Sequence, residues 1–146
     1  MVEVTGNLWT FPADVRVITT NGAVKKDGCC VMGRGCALEA KTMYPGIDKV
    51  LGQHITHKGN IVSILREDGA ETIVSFPVKH HWREEADPKL IEVSARTLSA
   101  FADLHGWQVI VMPRPGCGNG RLRWDNIRQL LAPILDDRFH VITFER

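Results

Sequence analysis

No stretch of this sequence approaches the ~20 consecutive apolar residues of a membrane-spanning helix. Met1-Val2-Glu3-Val4 lacks the charged-then-apolar order of a secretory signal, so we expect a cytoplasmic location and no membrane partner. Cysteine is sparse: Cys29, Cys30, Cys36 and Cys117 form no C-x-x-C spacing, and adjacent Cys29-Cys30 is a poor start for a disulfide framework, so thiols are expected. Those cysteines match no common zinc spacing, and His54-x-x-His57 lacks the glutamate of a His-Glu-x-x-His helix, so neither a metal nor any other cofactor is expected. An excess of charge of one sign is also missing. A net charge of +1 excludes a globally basic nucleic-acid surface and leaves only local clusters, Lys79-His80-His81-Trp82-Arg83 and Arg121-Leu122-Arg123-Trp124, for any such contact. There is no internal repeat, low-complexity tract or linker.

What is present reads as one globular domain over residues 1–146, since 44% hydrophobic and 24% charged residues supply a proper core. Runs rich in β-branched residues predict strands at Val15–Thr20, Asn60–Leu65, Thr72–Phe76, Val109–Met112 and His140–Phe144, with Val2–Trp9 as a sixth. Several are nearly continuous in apolar residues, as in strands covered on both faces, so helices should flank the sheet.

The clearest helix starts at Asp87-Pro88, an N-cap followed by a proline preset for the first turn, and ends at Gly106. Its Ile91, Ala95, Leu98, Phe101 and Ala102 share one face. A second starts near Asp125, read as its N-cap, and carries Ile127, Leu130, Leu131 and Ile134 before Pro133 ends or kinks it. Cys36–Met43 and Ile47–His54 are shorter candidates. Glu67-Asp68-Gly69-Ala70 between two strand runs signals a hairpin, so the sheet should be mixed and sandwiched between helices.

Two glycine-rich segments stand out. One runs from Asn21-Gly22 through Gly28 to Val31-Met32-Gly33-Arg34-Gly35, the other is Pro115-Gly116-Cys117-Gly118-Asn119-Gly120, and together they hold seven of the thirteen glycines. Each joins a short apolar run to a helical pattern, where backbone N–H groups gather around a phosphate. Neither is a Rossmann or Walker loop: a dinucleotide fingerprint would need glycine at Arg121, and Gly-Lys-Ser/Thr is absent. Glycines also mark ordinary turns, but two such loops after buried strands point to a diphosphate cleft at the carboxyl ends of the sheet.

Gly6-Asn7-Leu8, Ile18-Thr19-Thr20-Asn21-Gly22, Val31-Met32-Gly33-Arg34-Gly35-Cys36-Ala37, Ser75-Phe76-Pro77-Val78-Lys79-His80-His81-Trp82-Arg83 and Pro115 through Trp124 follow the order and spacing of a macrodomain. The set resembles the subgroup that holds the DNA-de-ADP-ribosylating DarG and the terminal ADP-ribose protein glycohydrolase. The resemblance implies a three-layer α/β/α macrodomain fold with a mixed, mostly six-stranded sheet. It implies ADP-ribose or an ADP-ribosylated substrate, DNA included, as the partner of a chain expected to be a monomer. It places the diphosphate between Val31–Gly35 and Pro115–Gly120, Asn21 at the distal ribose, and Asn7 and Leu8 toward the adenine. At Asn7 many macrodomains carry an aspartate; an asparagine carbonyl accepts the same bond without charge assistance.

Lys79 is the candidate catalyst. In the similar subgroup a lysine in the context Phe-Pro-x-Lys-x-x-Trp-Arg lies beside the anomeric carbon of the distal ribose and is needed for cleavage. A lysine at the end of an apolar strand can lose its charge through desolvation and act as a nucleophile, or keep it and stabilise a leaving group. By composition alone a solvated surface cation at a strand end is the favoured reading, and only the Phe-Pro-x-Lys-x-x-Trp-Arg context shared with the family reverses it. The glycohydrolase's second-loop aspartate corresponds to Gly120 here, as in DarG-like members. His80 and His81 read as surface histidines, and Trp82 as stacking on a base or packed over the following helix, with packing the default. Rival readings are a non-catalytic ADP-ribose reader and an ADP-ribose 1″-phosphate phosphatase.

Overall fold

The β-branched runs and capped amphipathic segments fold as the pattern dictates. In the computed structural model, which describes residues 1–69 and 71–144, they give β1 (Val2–Thr5), β2 (Val15–Asn21), α1 (Gly35–Met43), α2 (Ile47–Lys58), β3 (Ser63–Asp68), β4 (Glu71–Lys79), α3 (Pro88–His105), β5 (Ile110–Pro113), α4 (Trp124–Leu131) and β6 (Phe139–Thr143). The strands form one sheet in the order β1-β6-β5-β2-β4-β3. Every neighbouring pair is parallel except β3 and β4. The expected hairpin is therefore present; Ala70, within its predicted turn, lies outside the described residues.

Strands covered on both faces need two layers of helices, and they have them. On one face Val15, Val17, Val74, Phe76, Ile110, Met112, Phe139 and Val141 pack with Ile91, Ala95 and Leu98 of α3 and Ile127 and Leu131 of α4. On the other, Ile18 and Ile73 meet Ala37 and Ala40 of α1 and Ile47 and Leu51 of α2. Each fully buried Ile or Leu contributes about 1.5–3 kcal/mol. A smaller cluster of Leu8, Val111 and Ile142, with Val4, Trp9 and Phe11 packed against it, lies beneath the segment that follows β1. Among the described residues no helix is long and apolar enough to cross a membrane.

α3 matches its predicted limits because its ends are coded locally. Asp87 accepts from Lys89 N–H at 2.9 Å, Pro88 opens the first turn, and Gly106 closes the helix in the left-handed region at φ 68°. The other helix-start assignment needs correcting. The N-cap of α4 is Arg123, and Asp125 sits inside the first turn, paired with Arg128 at 3.0 Å. There its charge favours the helix dipole without capping it.

Strand limits move where pairing overrides composition. β1 stops at Thr5 because Gly6 (φ 148°) turns the chain and the Asn7 carbonyl accepts from Thr10 and Phe11 N–H. β3 begins at Ser63, three residues late, and runs through exposed Arg66–Asp68, because β4 keeps pairing with it out to Glu71. β4 passes through Pro77. Its pairing with β3 ends at Ser75, so the missing proline N–H leaves no ladder bond unmade on that side.

Candidate functional site

The parallel strands end at a common rim, and a cleft of about 560 Å³ opens there. Its walls are the residues at or just past the carboxyl ends of β1, β2, β4, β5 and β6, together with both glycine loops. This is the side of an open α/β sheet on which ligands bind.

One wall is the first loop. Val31, Met32, Gly33, Arg34 and Gly35 all border the cleft, with Met32 buried as the anchor. The loop runs directly into α1, whose N-cap, Arg34, is extended and supplies no side-chain cap. The first turn of α1 contains no acidic residue, so its N–H groups present an unneutralised positive end beside the cleft. Gly35 adopts φ 58°, and a Cβ built there would lie 3.3 Å from Asn119 Nδ2. The two glycine loops are thus adjacent, the arrangement a diphosphate requires.

The opposite wall is the second loop, and its glycines do two different jobs. Gly116 (φ 74°) and Gly120 admit no side chain: a Cβ on Gly116 would meet Ala86 Cβ at 2.8 Å, and one on Gly120 would meet the Gly116 carbonyl oxygen at 2.5 Å. They let the loop fold onto itself and onto the segment leading to α3. Gly118, like Gly33 in the first loop, has no left-handed φ and open space around the built Cβ. The fold itself does not require glycine at 33 or 118. Asn119 also borders the cleft, whereas Pro115 is buried and Cys117 packs toward the core; neither lines it. Burial pushes the Cys117 thiol up to about 11, and all four cysteines are free.

Asn21 and Lys79 are brought together by an irregularity in the sheet. Thr20 pairs with Pro77, but Asn21 pairs with Lys79, so Val78 is an extra residue on β4. A bulge of this kind re-aims the side chains beyond it. Asn60 Nδ2 donates to the Lys79 carbonyl at 2.9 Å and holds the irregular end in place. Asn21 spends its amide on the first loop: Nδ2 donates to the Val31 carbonyl and Oδ1 accepts from Ala23 N–H, each at 2.9 Å.

Lys79 Nζ lies at the junction of two loops, donating to the Asn119 carbonyl at 3.1 Å and the Trp82 carbonyl at 3.4 Å. Among the described residues no carboxylate comes within 4 Å of it. Desolvation holds its pKa below the ordinary lysine value, and the guanidiniums of Arg121 and Arg34 push it in the same direction.

Asn7 does not border the cleft, although Gly6 and Leu8 on either side of it do. Its Oδ1 instead accepts from Trp9 N–H at 2.8 Å and shapes the turn after β1. That turn is tied to the sheet by Arg16, a buried cation whose Nη1 donates to the Leu8 and Phe11 carbonyls and whose Nε donates to Glu71, all at 2.7 Å.

No family model matches the chain. Over 110 residues it is 32% identical to a DNA ADP-ribosyl glycohydrolase of Mycobacterium tuberculosis, a match covering 70% of this chain and 31% of that one. It superposes on the macrodomain of Thermus aquaticus DarG with a TM-score of 0.80 at 26% identity, over 99% of this chain and 97% of that one. With the macrodomain of Mycobacterium tuberculosis DarG the TM-score is 0.79 at 25% identity, over 98% and 97%. The chain is a DarG-like macrodomain. It spans about a third of the length of the DNA ADP-ribosyl glycohydrolases it matches.

Three features of the macrodomain's cleft escaped the sequence reading. Thr20 and Arg114 border it, and Thr20 Oγ1 and Arg114 Nε are buried without a partner. Their signal was positional, since both sit at strand ends level with Asn21 and Lys79. Trp82, expected to pack over α3, is 41% exposed and stands at the cleft mouth, with His81 stacked on it and Arg83 over its ring. The run of polar neighbours from Lys79 to Glu85 offered it no apolar partner at helical spacing. His80 is exposed as expected and pairs with Asp87 at 2.8 Å.

Proposed function

We propose that this macrodomain binds ADP-ribose in the cleft and releases it from an ADP-ribosylated DNA base, with Lys79 as the essential group. The observation that carries the reading is the bulge that sets Lys79 beside Asn21, its amine without a carboxylate partner among the described residues and repelled by the guanidiniums of Arg121 and Arg34. Support comes from relatives named DNA ADP-ribosyl glycohydrolase and from the macrodomain structures it superposes on.

In this reading the diphosphate lies between Gly33–Gly35 and Gly118–Gly120. It receives backbone N–H groups and the positive end of α1, while Thr20 and Arg114 offer further unspent donors. Leu8 walls the adenine side, and Asn21, pinned to the first loop, borders the distal ribose. The lowered pKa enlarges the fraction of molecules with a neutral amine. Its lone pair attacks the anomeric carbon as the bond to the base breaks, the base leaves with that electron pair and takes up a proton, and water then displaces the lysine. Gly120 offers no room for a catalytic carboxylate, so no acid from the second loop takes part.

Lys79→Ala should abolish release of ADP-ribose from ADP-ribosylated thymidine DNA while calorimetry shows ADP-ribose affinity kept within a few-fold. The same panel should include RNA ends, aspartate/glutamate-linked and serine-linked substrates. Unchanged turnover in Lys79→Ala would eliminate the mechanism. Tight ADP-ribose binding with no release from any member would leave a reader module.

A further inference from the structure

The cleft accounts for both glycine loops and for Lys79 but leaves a set of cations around its mouth without carboxylate partners among the described residues. Of the ten described arginines, six pair with a carboxylate: Arg16, Arg66, Arg96, Arg114, Arg128 and Arg138. The other four are Arg34, Arg83, Arg121 and Arg123. All four are exposed, and their guanidiniums have no carboxylate within 4 Å among the described residues. None is scattered elsewhere on the surface. Arg34 belongs to the first loop, Arg121 and Arg123 to the second, and Arg83 to the connection between β4 and α3.

The last two segments form one surface. Ala86 N–H donates to the Gly120 carbonyl at 3.1 Å, and Lys79 Nζ reaches both the Trp82 and the Asn119 carbonyls. On that surface Trp82 is 41% exposed, with the Arg83 guanidinium 4.7 Å from its ring centre and the His81 ring stacked at 5.6 Å. Arg121 is held at φ 65°, the one left-handed non-glycine residue described. Of the nearby carboxylates, Glu39 borders the cleft and Glu84 and Glu85 are exposed next to Arg83 in the chain; Asp87 is occupied by His80 and the start of α3. Lys79 and Arg34 border the cleft, Arg83 lies over the ring of Trp82, Arg121 is near enough to Lys79 to lower its pKa, and Arg123 follows two residues later in the same loop, in a protein whose net charge is only +1.

We propose that Trp82, Arg83, Arg121 and Arg123 hold the single strand on either side of the modified nucleotide, the guanidiniums taking its phosphates and the indole stacking on a neighbouring base. The inference rests on the reading above that the substrate is ADP-ribosylated DNA. A modified base must leave its stack to bring its linkage to Lys79, so a single strand fits and an intact duplex does not. An exposed indole among guanidiniums is what such a strand uses: stacking for the bases, charge for the backbone. A protein substrate has no regular row of phosphates for three clustered arginines.

The test is fluorescence anisotropy with an unmodified, labelled oligothymidylate of about twelve nucleotides, a span within the usual single-strand site sizes. Each neutralised phosphate contributes about −0.7 to the slope of log affinity against log salt, so the combined Arg83→Gln, Arg121→Gly, Arg123→Gln variant should show a slope shallower by about 2. Glycine at 121 keeps the left-handed turn while removing the charge. Trp82→Ala should weaken binding by at least about fivefold at fixed salt, and Trp82→Phe should restore most of it. Calorimetry on the triple-arginine variant should show ADP-ribose binding within a few-fold of wild type. Failure of the wild type to bind the oligonucleotide at low salt, an unchanged slope in the triple variant, or indifference to Trp82→Ala would each overturn the proposal. Oligonucleotide binding as described without cleavage of ADP-ribosylated DNA would instead defeat the catalytic reading and leave this surface standing.

Discussion

A lysine works as a nucleophile only in the fraction of molecules where its amine is neutral, and the surroundings of Lys79 enlarge that fraction. Its pKa is lowered first by desolvation and then by Arg121 and Arg34, with no carboxylate within 4 Å among the described residues to oppose them. The sign of the pH dependence follows. If the neutral amine attacks, turnover rises with pH and levels off once Lys79 is deprotonated, at a pH below the ordinary lysine value of 10.5. A lysine acting as a charged stabiliser of the leaving group would give the opposite slope. Removing one of the repelling cations makes the ammonium easier to keep, so Arg121→Gly should move the inflection to higher pH and lower the rate at neutral pH. A kcat profile for wild type and this variant, measured on one ADP-ribosylated oligonucleotide at saturation, checks both statements. An inflection unmoved by Arg121→Gly would detach it from Lys79.

At the scale of elements, the two loops use glycine for different reasons, and substitution separates them. Gly120→Ala forces a Cβ against the Gly116 carbonyl oxygen and Ala86, so overpacking should cost about 1–3 kcal/mol, read as a drop in Tm. Gly118→Ala meets nothing in the protein, so its Tm should stay near that of wild type while ADP-ribose affinity falls, because the methyl occupies space the ligand needs. Equal affinity in Gly118→Ala and wild type would mean the second loop does not approach the ligand there. α3 was legible in the sequence because cap, proline and terminal glycine act within a few residues of one another. The parallel core strands were legible because both of their faces are apolar. The bulge at Val78 was not, since it exists only in the pairing of β4 with β2. Likewise nothing in the order of residues says that β3 stops pairing at Ser75 and so permits Pro77 in a strand. The glycine loops pointed to a cleft at the carboxyl ends of the strands, but which of their glycines the fold itself requires depends on Ala86 and Gly116, brought close only by folding. Asn7 shows the same limit, its side chain being taken by a turn that local sequence does not advertise.

For the molecule as a whole, the cleft is a seam between parts of the chain that meet only around it. The first loop is tied to β2 by Asn21, the second to the β4–α3 connection through Gly120 and Ala86, and the Leu8 wall to β2 and β4 by Arg16. A ligand spanning all three walls bonds to the folded state and has no equivalent in the unfolded chain, so its binding adds to stability by mass action. At a free concentration one hundred times Kd the gain is about 2.7 kcal/mol. Thermal unfolding with increasing ADP-ribose should therefore show a Tm that climbs steadily past saturation of the site. Lys79→Ala should climb in parallel, because the amine is assigned to the bond-breaking step and not to holding the diphosphate. Gly118→Ala should climb less at the same concentrations, starting from the same Tm without ligand. AMP, which lacks the second phosphate and the distal ribose, should shift the wild type less than ADP-ribose at equal concentration. Equal shifts for the two ligands would place the recognition at the adenine end and remove the diphosphate from the account.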